Sequence, residues 1–366
     1  MVLQKFILNI CLKVVDLCTF WIHPTKGKVT FISMTSDKLN NDFALIDAEL
    51  KKSGKYEVSY DLMKFKKNLW GDFLYFLNCL RQLVEIKRSQ LVIINDNNYV
   101  LSTFKPAHTK VLQVWHAAGA VKKFGNQIDR KYEVGGYDSI LCSSPYWKKC
   151  YSEAFGVPES RIVDTGTCRV DDLLNSGAMK KKVERFYRKY PQLEGKKIAL
   201  YAPTFRGNII DGMYSVDFDG NAVAKALGPD YVVVNKFHPL LRADIKTGPA
   251  NLDLSKEDLY TLMKVSDVMI SDYSSIIFDY ALLDKPQISF VPDLVVYRAE
   301  IGLNIPYEDD FPGAICETEA EVAAAIRDLP NYDHEKLARF RHKYICHDDG
   351  KNTKRVMKLI DEMTGA

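Results

Sequence analysis

The stretch SDVMISDYSSIIFDYALLDKPQISF, residues 266–290, decides how this chain folds. Val268, Met269 and Ile270 are a short apolar run that predicts a buried strand over 267–271. Ile276, Ile277, Tyr280, Ala281 and Leu283 then recur at spacings of three and four, which predicts a helix opening at Ser274 and Ser275, and a second buried strand is expected after Pro286. Strand, turn and helix in this order are the repeating unit of a parallel sheet. The turn points the first N–H groups of its helix at the carboxyl edge of the sheet, where an anion is favoured. Two readings of Ser274 and Ser275 are open: hydroxyl donors to a phosphate, or caps of the helix.

The same alternation extends on both sides. Strands are expected over 29–33, 56–60, 91–95, 111–115, 139–142 and 161–164, with helices over 40–52, 70–87 and 145–154 between them; a charged stretch over 171–195 reads as a connection. A second series begins at Lys197 with IALYA and YVVVNKF and ends in helices over 319–329, 333–344 and 352–363. The chain therefore reads as α/β, two doubly wound parallel-sheet domains facing a cleft. The expected divisions are an amphipathic helix over 1–24, a first domain over 25–190, a second over 191–350 and a C-terminal helix over 351–366.

With 366 residues the chain is long enough for two cores. Its 47% hydrophobic and 27% charged residues are those of an ordinary soluble protein, and eight cysteines without a close C-x-x-C pair indicate neither a zinc knuckle nor a disulfide framework. A reducing cytoplasm is the simplest setting. Net charge is unevenly divided: residues 1–195 carry 30 Lys and Arg against 20 Asp and Glu, residues 196–366 carry 20 against 27. A basic first half fits the anionic face of a membrane. No RNA-binding or recognition-helix pattern favours nucleic acid.

Residues 1–21 are mostly apolar but carry Lys5, Asn9, Lys13 and Asp16, which fall within roughly 80° of one another on a helix. A wide apolar face remains, with Leu3, Phe6, Ile7, Ile10, Val14, Leu17 and Trp21. So regular a polar stripe argues against a membrane-spanning helix, and no signal-peptide cleavage site follows. The expectation is an interfacial helix lying on a membrane, helped by Lys26, Lys28, Lys51, Lys52, Lys55, Lys64, Lys66 and Lys67. The other reading is a helix packed on the first domain. An exposed apolar helix would also favour self-association, a homo-oligomer, away from lipid.

Four loops fall at strand ends, where doubly wound folds bind ligands. WHAAGAVKKFG (115–125) sets His116 beside small residues such as Gly119 that allow close approach, with Lys122 and Lys123 on the next turn. GTCRVDD (166–172) supplies Arg169, APTFRG (202–207) supplies Thr204 and Arg206, and KFHP (236–239) supplies Lys236 and His238. With Ser271, Asp272, Ser274 and Ser275 these residues compose a site for a diphosphate-bearing substrate, His116 and His238 being candidate bases. No P-loop, dinucleotide fingerprint or nucleophile elbow is present, and the nearby carboxylates form no convincing metal set. Asp272 reads as a residue that caps or orients.

Taken in this order, QVWHAAGAVKKFG, YAPTFR, KFHP and the 266–290 stretch resemble the CDP-glycerol glycerophosphotransferases of teichoic acid synthesis over roughly residues 90–360. The resemblance implies a GT-B-like fold, a donor substrate CDP-glycerol with no cofactor, release of CMP, and an undecaprenyl-linked disaccharide acceptor at the cytoplasmic face of the bacterial plasma membrane, where the enzyme would be peripheral. It assigns His116 as the base, His238 to the diphosphate and Ser274 and Ser275 to phosphate, and it matches Arg206 to the basic residue of the APT motif. GTCRVD departs from the family's G-x-P-R-N-D at Cys168 and Val170. The WHAAGAVKKFG form and the chain length are closer to the priming enzymes than to the polymerases. Competing readings are a glycerol or ribitol phosphate polymerase of the same family, a nucleotide-sugar glycosyltransferase and a non-catalytic membrane scaffold.

Overall fold

The computed structural model describes residues 2–39, 41–130, 132–208, 212–237 and 246–366. Short β-branched runs recur at parallel-sheet spacing, and they assemble into two six-stranded sheets. In the first the order is β2 (Glu57–Leu62), β1 (Thr25–Ser33), β3 (Ser89–Ile94), β4 (Lys110–Gln113), β5 (Ser139–Cys142), β6 (Ile162–Asp164), all parallel. β7 (Lys197–Tyr201) begins the second. A small hairpin, β8 (Arg206–Asn208) and β9 (Gly212–Tyr214), lies in what reads as a loop, and β10 (Tyr231–Asn235), β11 (Asn251–Asp253), β12 (Val268–Ser271), β13 (Gln287–Phe290) and β14 (Ile315–Cys316) follow. This sheet runs β11-β10-β7-β12-β13-β14, again all parallel. Both are α/β sheets of the doubly wound kind expected, and each reverses its winding once, between β1 and β3 and between β7 and β12. In doubly wound sheets such switch points open the crevice where ligands bind.

One compact unit comprises residues 1–117, 124–171 and 349–366; the other comprises 118–123 and 172–348. The first core is built from Phe31, Phe43, Ile46, Leu91, Ile93, Leu112 and Leu141 and takes in Val356 and Ile360 of the C-terminal helix Asn352–Thr364. Asp171 holds that helix in place, its carboxylate accepting from the N–H groups of Asn352 and Thr353 at 3.0 and 2.7 Å. Gly166 lies at φ +74, and a Cβ there would stand 2.3 Å from Asn352 Oδ1, so the close approach admits glycine alone. Cys168 is fully buried in this core. The second core gathers Ala199, Tyr201, Val233, Val268, Ile270, Ile288 and Phe290.

Candidate active site

In the first unit the site begins where β4 stops. Trp115 adopts φ +54, a left-handed conformation costing about 1–2 kcal/mol for a side chain of this kind, which ends the strand at Gln113 and turns the chain outward. Its indole packs on Phe124 (4.9 Å) and Phe155 (5.1 Å) and offsets that strain. His116 is thereby left exposed at the carboxyl edge. Its Nδ1 lies 3.0 Å from the Asn95 carbonyl oxygen. A carbonyl only accepts, so Nδ1 carries the proton and Nε2 is the basic nitrogen. Arg169, nearly buried, donates Nη1 to the His116 carbonyl at 2.5 Å, and its own N–H donates to Asp42. Arg169 thus fixes the backbone that carries the histidine.

In the second unit the cluster sits at the β7–β12 switch. Ser271 donates its hydroxyl to the Ala202 carbonyl at 2.8 Å, tying the two strand ends. Asp272 accepts from the Thr204 N–H (2.8 Å) with one oxygen and from Arg206 Nη1 (2.8 Å) with the other. Arg206, 5% exposed, also pairs through Nε with Asp293 at 2.7 Å, and its guanidinium carbon lies 4.9 and 4.7 Å from the Tyr273 and Tyr297 ring centroids. Burial by itself would lower the Arg206 pKa, but Asp293 and Asp272 outweigh it and raise it, so the residue stays a cation. Its donors serve these carboxylates and the Thr204 carbonyl, which holds the Thr204 loop.

Ser274 and Ser275 stand at the start of the helix after β12. The helix begins one residue later, at Ile276, with Ser275 as its N-cap, and no side-chain cap bond forms. Neither hydroxyl, nor that of Thr204, has a hydrogen-bond partner among the described residues. Lys122 belongs to the same unit: its ammonium lies 4.7 Å from the Phe205 ring centroid, and burial lowers its pKa against the pull of Asp272. Gly119 is buried, and exposed Lys123 donates its N–H to the Gly302 carbonyl at 3.1 Å. Lys236 donates Nζ to the Ser255 carbonyl at 2.6 Å, and burial lowers its pKa too. His238 lies outside the described residues. The residues that sequence reading does not single out are Asp293, Tyr273 and Tyr297; the one available signal was that Asp293 follows β13 at the same sheet edge.

A second surface belongs to the first unit. Helix α1 (Val2–Cys18) precedes α2 (Asn41–Ser53), and α3 (Leu69–Arg88) packs against α1. Leu8 and Leu12 of α1 are buried, and its polar side also contacts the protein: half-buried Asn9 accepts from Tyr99 Oη at 2.5 Å, and exposed Asp16 pairs with the buried Lys87 at 2.6 Å. The wide apolar face points away from the protein, with Phe6, Ile7, Ile10, Val14, Leu17 and Trp21 exposed. The first turns of α3 do the same through Leu69, Trp70, Phe73, Leu74 and Leu77. Lys13, Lys64, Lys66 and Lys67 are exposed, and Lys5 lies over the Tyr99 ring. Lys51 and Lys52 pair with Asp47 and Glu49. Among the described residues no helix is long and apolar enough to cross a membrane.

Comparison with known proteins gives this geometry its setting. The chain is 32% identical over 358 residues to the teichoic acid ribitol-phosphate primase of Bacillus spizizenii (strain ATCC 23059 / NRRL B-14472 / W23), covering 91% of this chain and 90% of the relative. It is 29% identical over 289 residues to the teichoic acid glycerol-phosphate primase of Bacillus subtilis (strain 168), covering 74% of each. A solved structure of the wall teichoic acid polymerase TagF superimposes with a TM-score of 0.76 at 21% identity, over 98% of this chain and 94% of that one, which establishes the GT-B-like fold. The family described as CDP-Glycerol:Poly(glycerophosphate) glycerophosphotransferase matches residues 17–362, and the chain belongs to it.

Proposed function

We propose that this protein primes a teichoic-acid-type polymer, moving one alditol phosphate from a CDP-alditol to a lipid-linked N-acetylmannosaminyl-N-acetylglucosaminyl diphosphate and releasing CMP. The observation that carries the reading is His116, exposed at a strand end with its Nδ1 proton anchored on Asn95 so that Nε2 is basic. The acceptor hydroxyl oxygen attacks the alditol-bearing phosphorus and the bond from that phosphorus to the bridging oxygen breaks. The hydroxyl proton passes to Nε2, and CMP departs with the bond's electron pair. Ser274, Ser275, Thr204 and Lys122 supply donors and charge for the diphosphate, and His238 adds to them.

Glycerol is the first reading of the alditol, supported by the description of the matching family. Ribitol is the second reading, favoured by the 32% identity to a ribitol-phosphate primase. The outward apolar faces of α1 and α3, flanked by lysines, seat the enzyme on the cytoplasmic membrane face where such an acceptor is anchored. The test is His116→Ala: transfer falls by about 100-fold or more while CDP-alditol binding, read by calorimetry, is retained. Unaltered transfer in the folded variant would remove His116 as the base.

A further inference from the structure

The two switch points are built alike, with one difference. In each, the carboxylate just past the second strand accepts from a backbone N–H in the loop after the first. Asp272 takes the Thr204 N–H; Asp96, past β3, takes the Met34 N–H at 2.7 Å and has Ser33 Oγ at 3.3 Å on the same oxygen. The other oxygen of Asp272 receives Arg206. The other oxygen of Asp96, Oδ1, is buried and has no hydrogen-bond donor among the described residues, in a side chain 6% exposed. Oδ1 of Asn95 and Oδ1 of Asn97 are in the same condition.

Buried acceptors without donors are strongly disfavoured, and folded proteins fill such positions with a ligand, an ion or water. Here burial also pushes the Asp96 carboxyl up to about 6. Three acceptors on consecutive residues repel a phosphate and match a group rich in O–H donors. They also adjoin the candidate base, because the Asn95 carbonyl is the atom that anchors His116 Nδ1.

We propose that Asp96, with Asn95 and Asn97, is the subsite that takes the hydroxyl-bearing end of the acceptor and holds it beside His116. The proposal rests on the alditol-phosphate transfer reading above, and it assigns the first unit's switch point to a neutral sugar or polyol end.

The experiment is calorimetric titration of the wild-type protein, Asp96→Asn and Asn97→Ala with a short-chain N-acetylmannosaminyl-N-acetylglucosaminyl diphosphate lipid, and separately with CDP-glycerol, CDP-ribitol and Mg²⁺. CMP release is measured on the same samples. Acceptor affinity is expected to weaken at least about tenfold in Asp96→Asn and less in Asn97→Ala, with affinity for the bound CDP-alditol unchanged. Should Asp96→Asn not fold, Asn97→Ala decides by the same criterion. Acceptor affinity within about twofold of wild type in the folded variants overturns the subsite. So does loss of Mg²⁺ binding at unchanged acceptor affinity, which would make the oxygens a cation site. Asp96-dependent acceptor binding without CMP release from either CDP-alditol keeps the subsite and removes the transfer reading; CMP release with unchanged acceptor binding does the reverse.

Discussion

Arg206 is the buried cation of the second unit, and its neighbours show what its loss would do. Arg206→Ala leaves Asp272 buried with no counter-charge and takes a side of the stack from Tyr273 and Tyr297. Urea unfolding should show a loss of about 3–5 kcal/mol, whereas Arg206→Lys keeps the charge, loses the paired geometry and falls between. Equal stability of Arg206→Ala and wild type would mean that the ion pairs with Asp272 and Asp293 do not hold the Thr204 loop. At this scale legibility was uneven. His116 stood out because it follows an apolar strand among small residues and has a counterpart, His238, after a strand of the second series. Asp96 did not: NDNN after LVII reads as a polar turn, and its unfilled oxygen exists only because β1 and β3, some 60 residues apart in sequence, pair in parallel.

Helices α1 and α3 show how periodicity gives a face but not its partner. The apolar stripe of α1 is present as the spacing predicts, but its polar side carries the contacts to the protein, through Asn9 and Asp16, and the apolar side looks outward. The sequence LWGDFLYFLNCL resembles any helix that covers a parallel sheet, so the outward turn of Leu69, Trp70 and Phe73 was not readable before packing was known. Exposed apolar faces of this kind mark contact with a membrane or another protein. A double variant Trp21→Glu with Trp70→Glu should lower binding to vesicles containing anionic phospholipid by about tenfold or more, while turnover of a short-chain acceptor in solution stays near wild type. Deleting residues 1–22 is a poorer probe, since it would also unpair Lys87. Unchanged vesicle binding in the double variant would assign the faces to another partner.

At the scale of the whole chain the two parallel sheets were legible because most strands are short apolar runs bounded by turn residues; the edge strands β11 (Asn-Leu-Asp) and β14 (two residues) carry no such run and were not readable. The C-terminal helix was legible as a helix. Its place in the first unit's core was not, because that rests on Asp171 and Gly166 meeting Asn352 some 180 residues later. Both switch points carry a carboxylate that clamps the loop opposite, one completed by arginine and one with an oxygen that no donor among the described residues reaches. The proposed activity is acceptor-dependent transfer. It is tested most directly by incubating the purified protein with CDP-glycerol or CDP-ribitol, with and without the short-chain disaccharide diphosphate lipid, measuring CMP and weighing the lipid product. CMP release is expected with one of the two donors, only when acceptor is present, together with a product heavier by one alditol phosphate. No release from either CDP-alditol, with nucleotide released instead from a sugar nucleotide, would contradict it.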